Sequence, residues 1–316
     1  MDQFTGDSVD DLMRTSIEEL LRSGIRITPS RGPALELHPV ALTLKNPRAR
    51  LSRTEARGRI FSALGETCWY LSGGNDAQFI GYYIDYYRQL GDKEDAWGGY
   101  GARLFNADGF DQVRYVIEKL RKEPDSRQAV IQIFDREDVA SPHDDVPCTC
   151  VLQYMVRCGR LDSIAYMRSN DVRLGLPHDL FAFTMLQELI ARSVGVDPGT
   201  HTHFAGSYHL YESDLASARA FLDEGWQSST QMPAMPAGDP WDDVSHLLKV
   251  ERAIRTGDTD PVGIGFSESP YWADLEHLLA IFSLWKSHRL GEVEAMRQHL
   301  HDPVYQIYVS DKVASN

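Results

Sequence analysis

Cysteine is scarce in this chain, with only Cys68, Cys148, Cys150 and Cys158 among 316 residues. So few in so long a chain do not make a disulfide framework, and a reducing, cytoplasmic location is expected. Positive charge is also short. Lys plus Arg number 32 against 46 Asp plus Glu, a formal net charge of -14, which disfavours an extended nucleic-acid face or an anionic membrane surface but leaves room for a local basic pocket. No apolar run reaches the roughly eighteen residues of a membrane span, and the acidic opening MDQFTGDSVDDLMRT lacks a signal core. The expectation is a protein that neither spans a membrane nor follows the standard secretory route. No second Cys or His pair follows Cys148-x-Cys150 at finger spacing, and His201-x-His203 lies on an unrelated segment, so no metal centre is expected.

What is present is an ordinary core-forming composition, 42% hydrophobic and 25% charged. SVDDLMRTSIEELLRSGI carries a helical apolar stripe, with Ser8 as N-cap and Asp11 completing a box-like start. ALELHPVALTL reads as strand and turn, and ARGRIFSALGETCWYLSGG as a helix with Glu66 near its end and a glycine stop. QVRYVIEKLRKEPDS predicts a helix closed by a Pro-Asp turn, and RQAVIQIF a strand. CTCVLQYMVRCGRLDSIAYMRS predicts a hairpin turning at Cys158-Gly159-Arg160, on a mainly antiparallel or mixed sheet. DLFAFTMLQELIARSVG is apolar on most faces, a buried helix ending at Gly195, and THFAGSYHLY reads as a strand. From about residue 233 a Pro-rich loop leads into three helical stretches around 241–256, 270–287 and 290–301. With no linker, repeat or low-complexity run, the expectation is one α+β domain with a helical C-terminal extension.

Two stretches can carry chemistry. Cys148 follows a proline at the start of a strand; it serves either as a packing residue or as a nucleophile whose pKa a cation such as Arg168 lowers. MRSND offers a guanidinium, a hydroxyl, a carboxamide and a carboxylate in succession. Arg168 with Ser169 suits a phosphate oxygen, and the plain alternative is a polar turn that caps the next helix through Asp171 or Asp179.

GETCWYLSGGND, GGYGARL, EPDSRQ, PCT...QY with RSNDVRLGLP, and GSYHLY stand in an order and at separations that resemble the thymidylate synthase family across roughly two thirds of the chain. The resemblance implies a thymidylate synthase-like mixed sheet packed with helices. It implies Cys148 as nucleophile, Glu66 as the acid/base that organises water, and Tyr100 as a pocket residue near the thiol. Arg168 and Ser169 would hold the 5'-phosphate, with Arg127 reaching in from the other subunit of a homodimer and Arg31, or else Arg26, from the N-terminal part. Gln153 would support the base, Asp171 would lie against the folate, and His209 with Tyr211 would contact the sugar.

Thr149 follows the nucleophile where synthases usually have His, Asp179 stands in LPHDL where they have Asn, and Gln128 replaces the second arginine of their DSRR. The first two departures resemble the branch that hydroxymethylates cytidine nucleotides. Asp179 fits it physically: a carboxyl accepts from the amino group of cytosine and can place a proton on ring nitrogen 3, whereas a uracil carbonyl would face it unpaired. That mismatch costs about 1–3 kcal/mol per buried group. The implied reaction is 5-hydroxymethylation of deoxycytidylate, or of cytidylate, with 5,10-methylenetetrahydrofolate and water. The water-excluding C-terminal segment of the synthases is not recognisable in DPVYQIYVSDKVASN, which agrees with water capture. Methyl transfer to deoxycytidylate or deoxyuridylate is the rival within the family; a silent nucleotide- or RNA-binding member is the rival from another class.

Overall fold

The computed structural model describes residues 1–52, 60–88, 95–143, 145–227 and 229–314. Among these, eight strands form one mixed sheet: β1 (Asp2–Gly6), β2 (Ile25–Ile27), β3 (Ala34–Leu37), β4 (Val40–Leu44), β5 (Val130–Gln132), β6 (Thr149–Arg157), β7 (Arg160–Asp171) and β8 (Asp197–Tyr211). The order is β1-β4-β8-β7-β6-β5, with β3 on β8 and β2 on β3. β1 runs parallel to β4 and β7 parallel to β8; the other pairs are antiparallel.

Among the described residues, thirteen helices accompany the sheet. They are α1 (Val9–Ser23), α2 (Ile60–Leu71), α3 (Ala77–Tyr83), α4 (Asp85–Arg88), α5 (Tyr100–Phe105), α6 (Gln112–Lys122), α7 (Glu137–Ala140), α8 (Gly175–Val194), α9 (Leu215–Asp223), α10 (Trp241–Thr256), α11 (Pro270–Lys286), α12 (Leu290–Arg297) and α13 (Gln306–Ala314). The fold is α+β. No described helix is long and apolar enough to cross a membrane.

Local rules account for the main boundaries. The expected box at α1 is formed, Asp11 N donating to Ser8 Oγ at 3.2 Å and Ser8 N to the Asp11 carboxylate at 3.0 Å. The hairpin turns through Cys158 and Gly159, both at positive φ, 49° and 72°, the geometry that matches strand twist. α8 stops at left-handed Gly195, whose N–H returns to Ala191 and Arg192. Its start differs from the expected one at Leu180: the helix begins at Gly175, so Asp179 lies inside it and is not its N-cap.

Alternation decides the faces of the sheet. Leu152, Tyr154, Leu161, Ala165 and Met167 are buried under the helices. The opposite parity makes rows that cross six strands, one of them Thr5–Thr43–Thr202–Ile164–Gln153–Val130, whose members are half-buried or exposed.

The stretch beyond about residue 233 is helical as expected, with α13 as a fourth main helix. It is not an appendage: Leu247, Leu275, Leu278 and Ile281 belong to the same buried cluster as Phe61, Leu64 and Cys68 of α2. Each fully buried Leu or Ile contributes about 1.5–3 kcal/mol, so α10 and α11 help fix α2 in place. Of the stretch read as that helix, residues 56–59 lie outside the described residues, and Glu66 sits in mid-helix rather than near its end. Gly65 precedes it because a Cβ there would stand 2.2 Å from the Tyr83 ring of α3. Tyr83 in turn donates to Glu251 of α10 at 2.9 Å.

Candidate active site

Four elements converge: α2 brings Glu66, α5 brings Tyr100, the loop before β6 brings Cys148, and α8 brings Asp179. Glu66 and Asp179 are both buried. Tyr70, one turn after Glu66, donates to its carboxyl at 2.9 Å. Burial pushes the Glu66 pKa from 4.5 up to about 7, with the Tyr70 bond pulling the other way. Asp179 is raised well above the usual carboxyl range, first by burial and then by the charge of Glu66, against the Asn170 bond. That bond runs from Asn170 Nδ2 to Asp179 Oδ2 at 2.7 Å.

Cys148 lies half-buried against the core. Burial raises its thiol pKa; Arg168 and Arg31 lower it, while Asp179 and Asp145 raise it. Thr149 N and Oγ1 both donate to the Tyr100 hydroxyl, at 3.2 and 3.0 Å, leaving the Tyr100 proton for another partner. Tyr100 stacks on Tyr70 with ring centroids 4.9 Å apart. The tyrosines thus form a wall between Glu66 and the residue after the thiol.

Arg168 has a second job that its sequence position did not suggest. Its Nε and Nη2 donate to the carbonyls of Pro147 and Val146, both at 2.9 Å, and its backbone N–H donates to the Cys148 carbonyl at 2.8 Å. The guanidinium therefore fastens the loop that presents the thiol. Arg31 donates to the Tyr86 hydroxyl at 2.7 Å and acts electrostatically on Cys148, Asp145 and Tyr211. Arg26 instead pairs with Glu212 at 3.4 Å, so of the two arginines Arg31 is the one tied to the thiol. Ser169 pairs with Ser207 and Asp171 with His209 where β7 meets β8. His209 is buried, its Nδ1 without a partner, and packs edge-on against Tyr211 at 4.9 Å. The Asp171 carboxylate accepts from Arg173 N at 2.7 Å, and burial raises its pKa.

Two expected residues stand apart. Gln153 has the parity of the bare sheet face, where its Nε2 donates to the Arg127 carbonyl at 3.0 Å. Strand alternation turns it away from Leu152 and Tyr154, whose side chains lie under the helices. Arg127 is exposed beyond α6 and is not among the charges acting on Cys148.

Residues that sequence reasoning left without a role are Tyr70, Asn170 and Asp145. Tyr70 was findable as the i+4 neighbour of Glu66. Asp145 was not, since its position beside Gly98, Arg31 and Arg168 is a product of the fold.

A half-buried thiol with Arg168 and Arg31 acting on it, and the buried carboxyl of Asp179 close enough to act as well, is an arrangement that nucleophilic-cysteine chemistry can use. The thymidylate synthase family model matches residues 50–240. The chain belongs to the thymidylate synthase family. Curated relatives include a deoxyuridylate hydroxymethyltransferase of Bacillus phage SP01, 28% identical over 232 residues, covering 68% of this chain and 60% of the relative. Another of the same name, from Pseudomonas phage M6, is 29% identical over 222 residues, covering 68% and 63%. The chain thus spans less than two thirds of the length of these relatives.

Proposed function

We propose that this chain is a pyrimidine nucleotide hydroxymethyltransferase that converts a cytidine 5'-monophosphate, deoxycytidylate ahead of cytidylate, to its 5-hydroxymethyl derivative with 5,10-methylenetetrahydrofolate and water. The observation that carries the reading is Asp179, a buried carboxyl whose pKa burial raises well above the ordinary range, favouring the protonated form, and whose Oδ2 is held by Asn170. In that form it offers one donor and one acceptor, matching ring nitrogen 3 and the amino group of cytosine, and it can pass its proton to the ring nitrogen.

The groups left unpaired fit a nucleotide. Asn170 Oδ1 and His209 Nδ1 are buried polar atoms without partners, and such atoms are costly unless a ligand completes them. Arg168 and Arg31, the cations acting on the thiol, suit a 5'-phosphate, with Ser169 as a hydroxyl donor. Asp171, raised by burial, suits the amino edge of a pterin.

Bound folate supplies the one-carbon unit. Cys148 adds as thiolate to ring carbon 6, which makes carbon 5 nucleophilic, and the same thiol leaves at the end. Glu66, poised near neutrality, positions the water that becomes the hydroxyl and takes its proton. Thr149 and the names of the phage relatives support water rather than hydride as the final nucleophile.

The same reading has the site completed in a homodimer. The bare rows of the sheet, with exposed Tyr166 and Val130, support packing of two copies face to face, and Arg127 borders that face through Gln153.

A second reading, deoxyuridylate as substrate, is favoured by the names of the relatives, and the protonated form of Asp179 can also pair with N3–H and O4 of uracil. One experiment tests both. Incubation with dCMP, CMP or dUMP plus methylenetetrahydrofolate is expected to give the mass of a hydroxymethyl product with dCMP. Stoichiometric dihydrofolate and a methylated product would overturn the hydroxymethylase reading, and faster turnover of dUMP would overturn the cytosine reading.

A further inference from the structure

Beyond residue 240, where the family match ends, α11 places Asp274 and His277 one turn apart on one face. The segment after α12 lays His299 and His301 over them. The His277 ring centroid is 6.0 Å from that of His299 and 6.3 Å from that of His301. Ligand atoms of Asp274, His277 and His301 all lie within 4.8 Å of one another.

Part of this cluster has a structural account. Asp274 Oδ1 accepts from His301 N at 2.7 Å and His301 Nδ1 at 3.0 Å, and Oδ2 accepts from Asp302 N at 2.9 Å, so the carboxylate fastens the segment after α12. That does not account for His277. Its ring is 6% exposed and leans on the Ala273 carbonyl, yet Nδ1 makes no hydrogen bond of acceptable geometry. A buried imidazole nitrogen left unpaired is costly unless something completes it. His277 also borders, with His299, Phe266 and Met296, a pocket of about 270 Å³.

We infer that Asp274, His277 and His301 form a binding site for a divalent transition-metal ion of the zinc class, with the pocket beside His277 leaving a coordination position open. Two imidazoles and a carboxylate are the donors such ions prefer over calcium or magnesium. Ligand atoms around a tetrahedral zinc stand about 3.4 Å apart. The Asp274–His301 pair is already in hydrogen-bond contact at 3.0 Å, through a proton that the ion would displace. Bringing all three ligand atoms from within 4.8 Å to this spacing needs up to about 1.4 Å of side-chain movement, toward which exposed His301 is free to rotate. His299 is near enough to be a further ligand.

The test titrates Co2+, then Zn2+ in competition, into the full-length metal-free protein, following visible d–d absorption, with bound zinc counted by elemental analysis. One equivalent of Co2+ displaced by Zn2+ is expected, with affinity weakened at least about tenfold in both His277→Ala and His301→Ala. His301 is exposed, so its variant keeps its fold; His246→Ala, outside the cluster, is expected to bind as the parent does. Absence of saturable binding, or binding that survives both substitutions, would overturn the site. Neither readout depends on nucleotide chemistry.

Discussion

The charge of Glu66, on α2, raises the pKa of Asp179, on α8, adding to the larger effect of burial. Two carboxyls on helices that are far apart in sequence thus act on each other, one with its pKa raised to about 7 and one raised well above the ordinary range. That division suits a water-organising group beside a base-reading group.

Asp179→Asn is expected to move preference from cytosine toward uracil nucleotides, because an amide cannot pass a proton to ring nitrogen 3. The ratio of kcat/KM for dCMP over dUMP should fall at least about tenfold. An unchanged ratio would remove Asp179 from base recognition.

Cys148→Ser should abolish product while nucleotide affinity stays within a few-fold, since the phosphate and base contacts lie on other residues. More than residual turnover in that variant would rule out the covalent route.

Reactivity of the thiol should respond to its two neighbours with opposite sign. Arg168 lowers the Cys148 pKa and Asp145 raises it, so at about pH 8 site-resolved alkylation should slow several-fold in Arg168→Gln and quicken in Asp145→Asn. Alkylation that changes in the same direction in both variants would contradict this electrostatic picture.

Glu66→Gln should lose about 100-fold or more in turnover yet gain stability in alkaline buffer. The folded pKa of Glu66, about 7, lies above its ordinary 4.5, so the folded protein holds this proton more tightly than the unfolded chain does. Stability from this group is complete below about pH 4.5 and is lost as pH rises through about 7, a loss of up to about 3 kcal/mol. Denaturant unfolding should find the variant more stable than the parent at about pH 8, with the difference vanishing in acid. A constant difference across pH would mean that Glu66 is not the titrating group.

Mixing Cys148→Ala with Arg127→Ala subunits should restore activity to about a quarter of the parent, since half the dimers are mixed and each holds one intact site. No recovery after verified subunit exchange would mean that each site is built from one chain.

The main elements were legible in the sequence because their signals are local: the Ser8–Asp11 box, the turn at Cys158–Gly159 and the Gly195 stop each act within a few residues. β1, the short helices α3, α4 and α5, and α13 were not, because pairing with β4 or packing onto α2 and α11 gives them their stability rather than any periodic pattern. Cys148, Glu66 and Asp179 could be picked out singly by type and motif. Their burial, and hence the raised pKa values of all three, depends on α2, α8, α10 and α11 closing one core around them. The same holds for Gln153, which one step of strand alternation sends to the bare face, and for Asp274, His277 and His301, which the finger-spacing argument passed over. A spacing rule sees only neighbours along the chain, while desolvation and ligand geometry are set by neighbours in space.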